Sequence, residues 1–165
     1  MPFDARHCAS AAALVNRFIR ETTVHFAERE QSEAEWFDEL RKKDERPWLA
    51  AEDGADICSG ASSGFLGFAK AGSWRAREAY RYTAEVAVYV EHAARRRGVA
   101  RSLYLGLFDE LRKLGCHTVA AGITLPNEAS AAFHEAMGFR HVGVFREVGW
   151  KFDAWRDVGF WQRHL

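Results

Sequence analysis

Three consecutive arginines followed by a glycine lie where a predicted strand gives way to a predicted helix. The strand ends in Val86–Val90, and a leucine-rich helix follows the run Arg95, Arg96, Arg97, Gly98, Val99, Ala100 and Arg101. The first N–H groups of a helix lack intrahelical partners and carry the positive end of its dipole, so this turn indicates a phosphate-binding site. The sequence contains neither a Walker A loop nor a G-x-G-x-x-G turn. A solvated, arginine-rich helix start is the alternative interpretation of this segment.

Two side chains near this turn could transfer protons. Glu85 is a lone carboxylate in an otherwise apolar strand, where burial would raise its pKa toward neutrality and make it a general base. His134 lies on a later predicted helix, and an imidazole with a pKa of roughly 6.5 suits proton exchange at neutral pH. An outward-facing strand glutamate and a structural histidine are the alternatives for these two positions.

The composition predicts one globular domain, residues 1–165, that works in the cytoplasm. Apolar residues make up 48% of the chain and charged residues 28%, as in ordinary globular proteins. The formal net charge is zero, which gives no electrostatic reason to expect nucleic acid or an anionic membrane as a partner. Cys8, Cys58 and Cys116 are far apart and form no C-x-x-C pair, so we expect reduced thiols and no metal site.

Helix and strand patterns alternate along the chain, and a turn-rich stretch at 53–64 predicts a long loop. One helix is predicted over 10–20 behind a Ser10 cap, and a second begins at a capping box of Ser32 and Glu35. Further helices are predicted over 98–114 and over 127–137, and strands over 48–52, 65–71, 80–90, 118–124, 139–149 and 157–162. Strands interspersed with helices predict an α/β fold, in which helices cover a mixed sheet.

Two motifs resemble those of the GNAT acetyltransferases. Arg95, Gly98 and Ala100 are spaced like the pyrophosphate loop of that family, and the helix that begins at Asn127 and carries His134 resembles its N-x-x-A…Y-x-x-L-G-F helix. The resemblance implies acetyl-CoA as cosubstrate, no metal, and a mostly antiparallel sheet with helices on both faces, splayed at a bulge beside the acetyl-CoA site. The acetyl-CoA ligands that it implies are Val88, Tyr89, Val90, Arg95, Arg96, Arg97, Gly98, Val99, Ala100, Arg101, Asn127 and Ser130.

Three longer runs, at 82–90, at 121–130 and at 145–149 with 157–162, are similar to phosphinothricin N-acetyltransferases. The likeness implies acetyl transfer to the primary amine of a small amino-acid-like acceptor, such as phosphinothricin, methionine sulfoximine or methionine sulfone. It also implies that Glu85 is the base, that His134 takes part in proton transfer and that the chain forms a homodimer. The acceptor-binding residues would be Arg75, Arg77 and Phe26, where guanidinium groups suit an oxyanion.

Two other functions are compatible with the same residues. The acceptor could be a protein or peptide amine, since the long loop at 53–64, which departs from the subfamily pattern, could cover or build a groove. The chain could also be a non-catalytic sensor that binds acetyl-CoA, although the presence of both Glu85 and His134 argues against this.

Overall fold

The computed structural model describes residues 1–54 and 64–165, so Cys58 and most of the predicted loop at 53–64 lie outside the described residues. The helices are α1 (Cys8–Glu21), α2 (Glu33–Lys42), α3 (Val99–Lys113) and α4 (Glu128–Ala136). The strands are β1 (Trp48–Glu52), β2 (Phe65–Ser73), β3 (Thr83–Val90), β4 (Thr118–Thr124), β5 (Arg140–Lys151) and β6 (Ala154–His164). Short 3₁₀ helices precede α1, β3 and α3.

The strands form an open mixed sheet in the order β1-β2-β3-β4-β6-β5. Neighbouring strands are antiparallel, except that β3 and β4 run parallel. The β3–β4 ladder covers only Thr83–Thr118 to Glu85–Ala120, after which the two strands diverge. The predicted splay is therefore confirmed. The predicted bulge in β3 is wrong, because its register with β2 is unbroken, and divergence from β4 alone opens the gap.

Helices cover both faces of the sheet because alternate strand residues point to opposite sides. On β2, Phe68 packs into a buried cluster with α1 and α2, whereas Ala69 packs into a second cluster with α3. Tyr104 and Leu107 of α3 are fully buried in that second cluster. Burying a large apolar side chain stabilises the folded state by roughly 1.5–3 kcal/mol. The two clusters therefore hold the sheet, including its diverging strands, from opposite faces.

Three predicted boundaries were wrong for local reasons. A 3₁₀ turn capped by Asp4 leads directly into α1, so Ser10 lies inside the helix and does not cap it. The strand predicted from residue 80 begins at Thr83, because residues 78–80 form a 3₁₀ helix. The last two strands are longer than predicted and are joined by a two-residue turn whose residues, 152 and 153, both have φ 52°. Such left-handed pairs match the twist of a hairpin.

Cys8 and Cys116 are buried free cysteines. Burial raises the pKa of both thiols, so they remain protonated and unreactive at neutral pH. Within residues 1–54 and 64–165, no helix has the length and apolar character needed to cross a membrane. The same residues contain no cluster of three or more histidine, cysteine, aspartate or glutamate side chains arranged to hold a metal ion.

Candidate active site

A cleft runs between the diverging halves of β3 and β4. Its strand walls are Val86–Tyr89 and residues 121–124, and Val24 lies at the end near α1. At the end near α3 and α4 the cleft is lined by Tyr104, Asn127, Ser130 and His134. Because no strand in the described residues pairs with this edge of β3 beyond Glu85, alternate backbone N–H and C=O groups face the cleft, and an extended ligand could pair with them as a strand would.

The N-terminus of α3 presents uncapped backbone N–H groups near the end of β3. Gly98 caps the helix with φ 81°, and Arg96 also has a positive φ, 61°. The first intrahelical bond runs from the Ser102 N–H to the Gly98 carbonyl at 3.0 Å, so the N–H groups of Val99, Ala100 and Arg101 precede the ladder. No side chain in the described part of the chain caps them. Phosphate oxygens can therefore accept from these groups at the positive end of the helix dipole.

The arginine triplet does not converge on one point. The Arg95 guanidinium lies 5.8 Å from the centroid of the Phe18 ring on the α1 side, and Val90 lines the same hollow instead of the cleft. Arg97 pairs with Asp53 at 3.2 Å, whereas Arg96 is exposed. The triplet thus distributes positive charge around the turn, and the backbone N–H groups provide the directional contacts.

Asn127 caps α4 as predicted. Its Oδ1 accepts a hydrogen bond from the Ser130 N–H at 3.2 Å. Because both residues also line the cleft, their predicted contact with acetyl-CoA is compatible with the capping role.

Glu85 is the last residue of β3 that pairs with β4, and the cleft begins beyond it. Ala84 and Val86 are buried against α3, so Glu85 points to the opposite face of the sheet. Its side chain is exposed, yet the surrounding protein removes enough water to raise its pKa, an effect that the charges of Arg75 and Lys70 oppose. A carboxylate with a raised pKa at the mouth of a cleft is suited to act as a general base.

His134 is buried and hydrogen-bonded through both ring nitrogens. Nδ1 lies 2.8 Å from the Ser130 carbonyl oxygen, which can only accept, so Nδ1 carries a proton. In the neutral ring Nε2 then accepts from the Tyr104 hydroxyl, 3.0 Å away. Burial lowers the pKa of His134 despite the Ser130 contact, which raises it. The ring is therefore neutral at pH 7, and any proton that it gains is easily released.

Tyr104 is a functional candidate that the sequence interpretation missed. It is fully buried and lines the cleft beside His134. Burial raises its pKa well above the usual value, so the phenol stays protonated. The available signal was its place in the apolar stripe of α3, one residue after Leu103 and three before Leu107.

A cavity of about 590 Å³ lies on the Glu85 face of the sheet. Ala120, the β4 neighbour of Glu85, lines it, together with Arg75, Trp74 and Phe160. The Arg75 guanidinium lies 5.1 Å from the centroid of the Trp74 ring, which packs edge-on against Phe160. This cavity combines an apolar wall with one cation close enough to influence the pKa of Glu85.

The three predicted acceptor residues are not gathered in one place. Arg75 lines the cavity, whereas Arg77 is exposed at the cap of a 3₁₀ helix and is not part of the cavity lining. Phe26 lies in the connection between α1 and α2 and packs against Gly149 of β5. Its neighbour Val24 lines the cleft, so this connection forms a separate wall of the site.

The family model described as the acetyltransferase (GNAT) family matches residues 11–139, which include the cleft, the α3 N-terminus, Glu85 and His134. The chain belongs to the acetyltransferase (GNAT) family. It is an acetyl-CoA-dependent N-acetyltransferase with the mixed, mostly antiparallel sheet of that family.

Curated GNAT relatives match nearly the whole chain. A phosphinothricin N-acetyltransferase from Streptomyces viridochromogenes is 40% identical over 163 residues, which cover 98% of this chain and 85% of that protein. An L-methionine sulfoximine/L-methionine sulfone acetyltransferase from Salmonella typhimurium is 32% identical over 165 residues, 98% of this chain and 91% of that protein. Both of these relatives are named for small amino-acid-like acceptors.

Solved GNAT structures superpose closely on this chain. A ribosomal-protein-alanine N-acetyltransferase from Brucella melitensis has a TM-score of 0.91 at 29% identity and covers all of this chain and 98% of its own. A phosphinothricin acetyltransferase from Sinorhizobium meliloti, solved in complex with acetyl-CoA, has a TM-score of 0.89 at 26% identity, with 100% and 86% covered. The second structure, a complex with acetyl-CoA, agrees with acetyl-CoA as cosubstrate. The two structures are named for different acceptors, a protein alanine and phosphinothricin.

Proposed function

We propose that this GNAT enzyme acetylates the primary amine of a small amino-acid-like acceptor, such as phosphinothricin, methionine sulfoximine or methionine sulfone. The observation that carries the proposal is the position of Glu85, which directly precedes the cleft residue Val86 and pairs with Ala120, a lining residue of the cavity that contains Arg75. The cleft suits an extended thioester arm, and the cavity suits a small anionic molecule. The names of the two curated relatives support this acceptor class.

Acetyl-CoA, when bound, supplies a thioester carbonyl that an amine can attack. The α3 N-terminus suits its phosphates, and Asn127 and Ser130 border the path of its arm along β3. Glu85, directly or through a water molecule, takes a proton from the acceptor ammonium and so frees the nitrogen lone pair. A backbone N–H of Val86, Ala87 or Val88 donates to the carbonyl oxygen as it gains negative charge.

The departing sulfur receives its proton through Tyr104 and His134. His134 is neutral at rest and first takes a proton at Nε2 from solvent. It then gives that proton to the Tyr104 oxygen while the Tyr104 hydroxyl gives its own proton to the sulfur, so one N–H and one O–H bond break as one O–H and one S–H bond form. The 3.0 Å contact between the two side chains supports this relay. The lowered pKa of His134 supports it too, because a weakly held proton is readily transferred.

The acceptor class is tested by initial rates of CoA release with phosphinothricin and methionine sulfone. We expect kcat/KM of about 10⁴ M⁻¹ s⁻¹ or more with at least one of them, the lower end of the range typical of enzymes on their substrates. Arg75→Met should raise the KM for that acceptor about tenfold, because a charge-assisted contact is lost, whereas Arg77→Met serves as the matched control and should not. No turnover with either acceptor at any pH would refute the proposed substrate class.

A protein amine is the second candidate acceptor, favoured by the name of the Brucella melitensis structure. Peptides that begin with alanine, assayed beside phosphinothricin, separate the two candidates. Turnover of the peptides alone would assign the enzyme to protein acetylation. Tight acetyl-CoA binding in calorimetry, with no turnover of any amine, would instead indicate the sensor function.

We propose that two copies associate through the β5–β6 side of the sheet. β5 is an edge strand, and this hairpin exposes large apolar side chains, with 55% of Phe145, 55% of Val148 and 58% of Trp155 accessible. We expect light scattering at micromolar concentration to give twice the 18.7 kDa chain mass, and Phe145→Asp to shift it toward the monomer. A wild-type mass equal to one chain would contradict the dimer.

A further inference from the structure

The ends of β5 and β6 continue past the rest of the sheet as a two-stranded tongue, residues 149–156. β4 pairs with β6 only as far as Thr124–Val158, whereas β5 pairs with β6 as far as Lys151–Ala154. Just before the tongue the β5–β6 register shifts, and Glu147 has φ 51°. Bulges of this kind bend a hairpin and increase its twist, so the tongue can point away from the plane of the sheet.

The tongue holds the connection between α1 and α2 at two points. The Lys151 ammonium donates a hydrogen bond to the backbone carbonyl of His25, and Lys151 is only 3% exposed. At Gly149, an added Cβ would lie within 3.0 Å of three carbons of the Phe26 ring. Gly149 therefore lets Phe26 pack directly on the backbone of the tongue. Lys151 binds the carbonyl of His25, the residue before Phe26.

The held segment, residues 24–27, forms one wall of the cleft. Val24 lines the cleft opposite His134 and Tyr104, and the His25 ring lies 6.2 Å from the ring of Tyr89 on β3. A hydrogen bond of 3.1 Å from the Ala27 N–H to His25 Nδ1 keeps the segment turned. The position of this segment therefore sets the width of the cleft at the end away from α3 and α4.

We propose that Lys151 and Gly149 are positioning residues that set the affinity for the thioester arm of acetyl-CoA by holding the 24–27 segment of the cleft wall in place. The assignment of the cleft to acetyl-CoA in this inference rests on the proposed function, but the contacts do not. A buried ammonium is costly unless it is compensated, and the bond that Lys151 makes is to a carbonyl and not to a carboxylate. Burial lowers the pKa of Lys151, and the negative charge of Glu28 opposes this effect.

The Gly149 contact is tested by a double-mutant cycle with Phe26. Gly149→Ala should displace the Phe26 ring and raise the KM for acetyl-CoA about tenfold, while the KM for the acceptor stays within about twofold. In a Phe26→Ala background the same substitution should have no further effect, because the ring that it would strike is gone. Equal losses in both backgrounds, or an equal rise in both KM values, would overturn the inference.

The Lys151 contact is tested without any acceptor by hydrogen exchange and mass spectrometry. Lys151→Met should speed amide exchange about tenfold in a peptide spanning residues 22–28 and leave a peptide spanning residues 103–111 unchanged. Lys151→Arg, which keeps a donor, should restore part of the protection, and Lys113→Met on the exposed face of α3 is the matched control. Unchanged exchange in the 22–28 peptide would refute the positioning role of Lys151, even if the enzyme is active. If the wild type acetylates no small amine, the proposed function fails, and the exchange result still decides whether Lys151 holds residues 24–27 in place.

Discussion

Replacing Glu85 with glutamine is expected to lower kcat by roughly a hundred- to a thousandfold, the range typical for loss of a general base. The amide keeps the size of the side chain but cannot take a proton from the acceptor ammonium. Acetyl-CoA affinity should stay within about twofold of the wild type, because Glu85 lies on the face of the sheet opposite α3. Stopped-flow or steady-state CoA release, with calorimetry for acetyl-CoA, measures both quantities.

The role of Glu85 as a base also predicts the direction in which activity changes with pH. Since desolvation raises the pKa of Glu85 above its ordinary 4.5, the active carboxylate form is lost as pH falls through a midpoint higher than 4.5. We expect kcat/KM for the acceptor to rise with pH in the wild type and to lose this limb in Glu85→Gln. Glu110→Gln, an exposed glutamate paired with Lys113 on α3, is the matched control. An equal loss of catalysis and of acetyl-CoA binding would assign Glu85 a structural role instead.

Removing the Tyr104 hydroxyl or the His134 ring is expected to lower kcat by roughly a hundredfold, the effect of losing an acid in proton transfer. Because the two groups share one hydrogen bond and one proton path, Tyr104→Phe, His134→Ala and the double variant should all lose a similar factor. The measurement is kcat at saturating acetyl-CoA and acceptor for the three variants and the wild type.

For the Tyr104 and His134 variants, a loss of folding stability must be distinguished from a loss of kcat. Both side chains are buried, so each variant should also lower the midpoint of thermal unfolding, by an amount that need not follow kcat. His117→Ala, at a histidine remote from the cleft lining, is the matched control for a histidine deletion. Losses in kcat that multiply in the double variant would contradict a shared relay, and a stability loss with unchanged kcat would make the pair structural.

Several features of the site follow from neighbouring residues, and these were predicted from the sequence. Gly98 and the arginines before it predict a turn and a helix start with free N–H groups, since capping geometry depends on residues within one turn. The β-branched and aromatic residues around Glu85 predict the strand that carries it, whereas its place on the face opposite α3 comes from the structure. Asn127 at the start of α4 is a cap for the same local reason.

The tertiary structure alone decided which distant residues meet. Arg75 and Arg77 are equivalent by type, but only Arg75 lines the cavity beside Glu85. Nε2 of His134 meets the hydroxyl of Tyr104, which is 30 residues earlier on another helix. Lys151 meets a carbonyl 126 residues away. The sequence by itself therefore determined the caps of α2 and α4 and the turn before α3, because those depend on bonds within a few residues. The contact between His134 and Tyr104 and the walls of the site depend on the packing of separate elements, whose register no local pattern specifies.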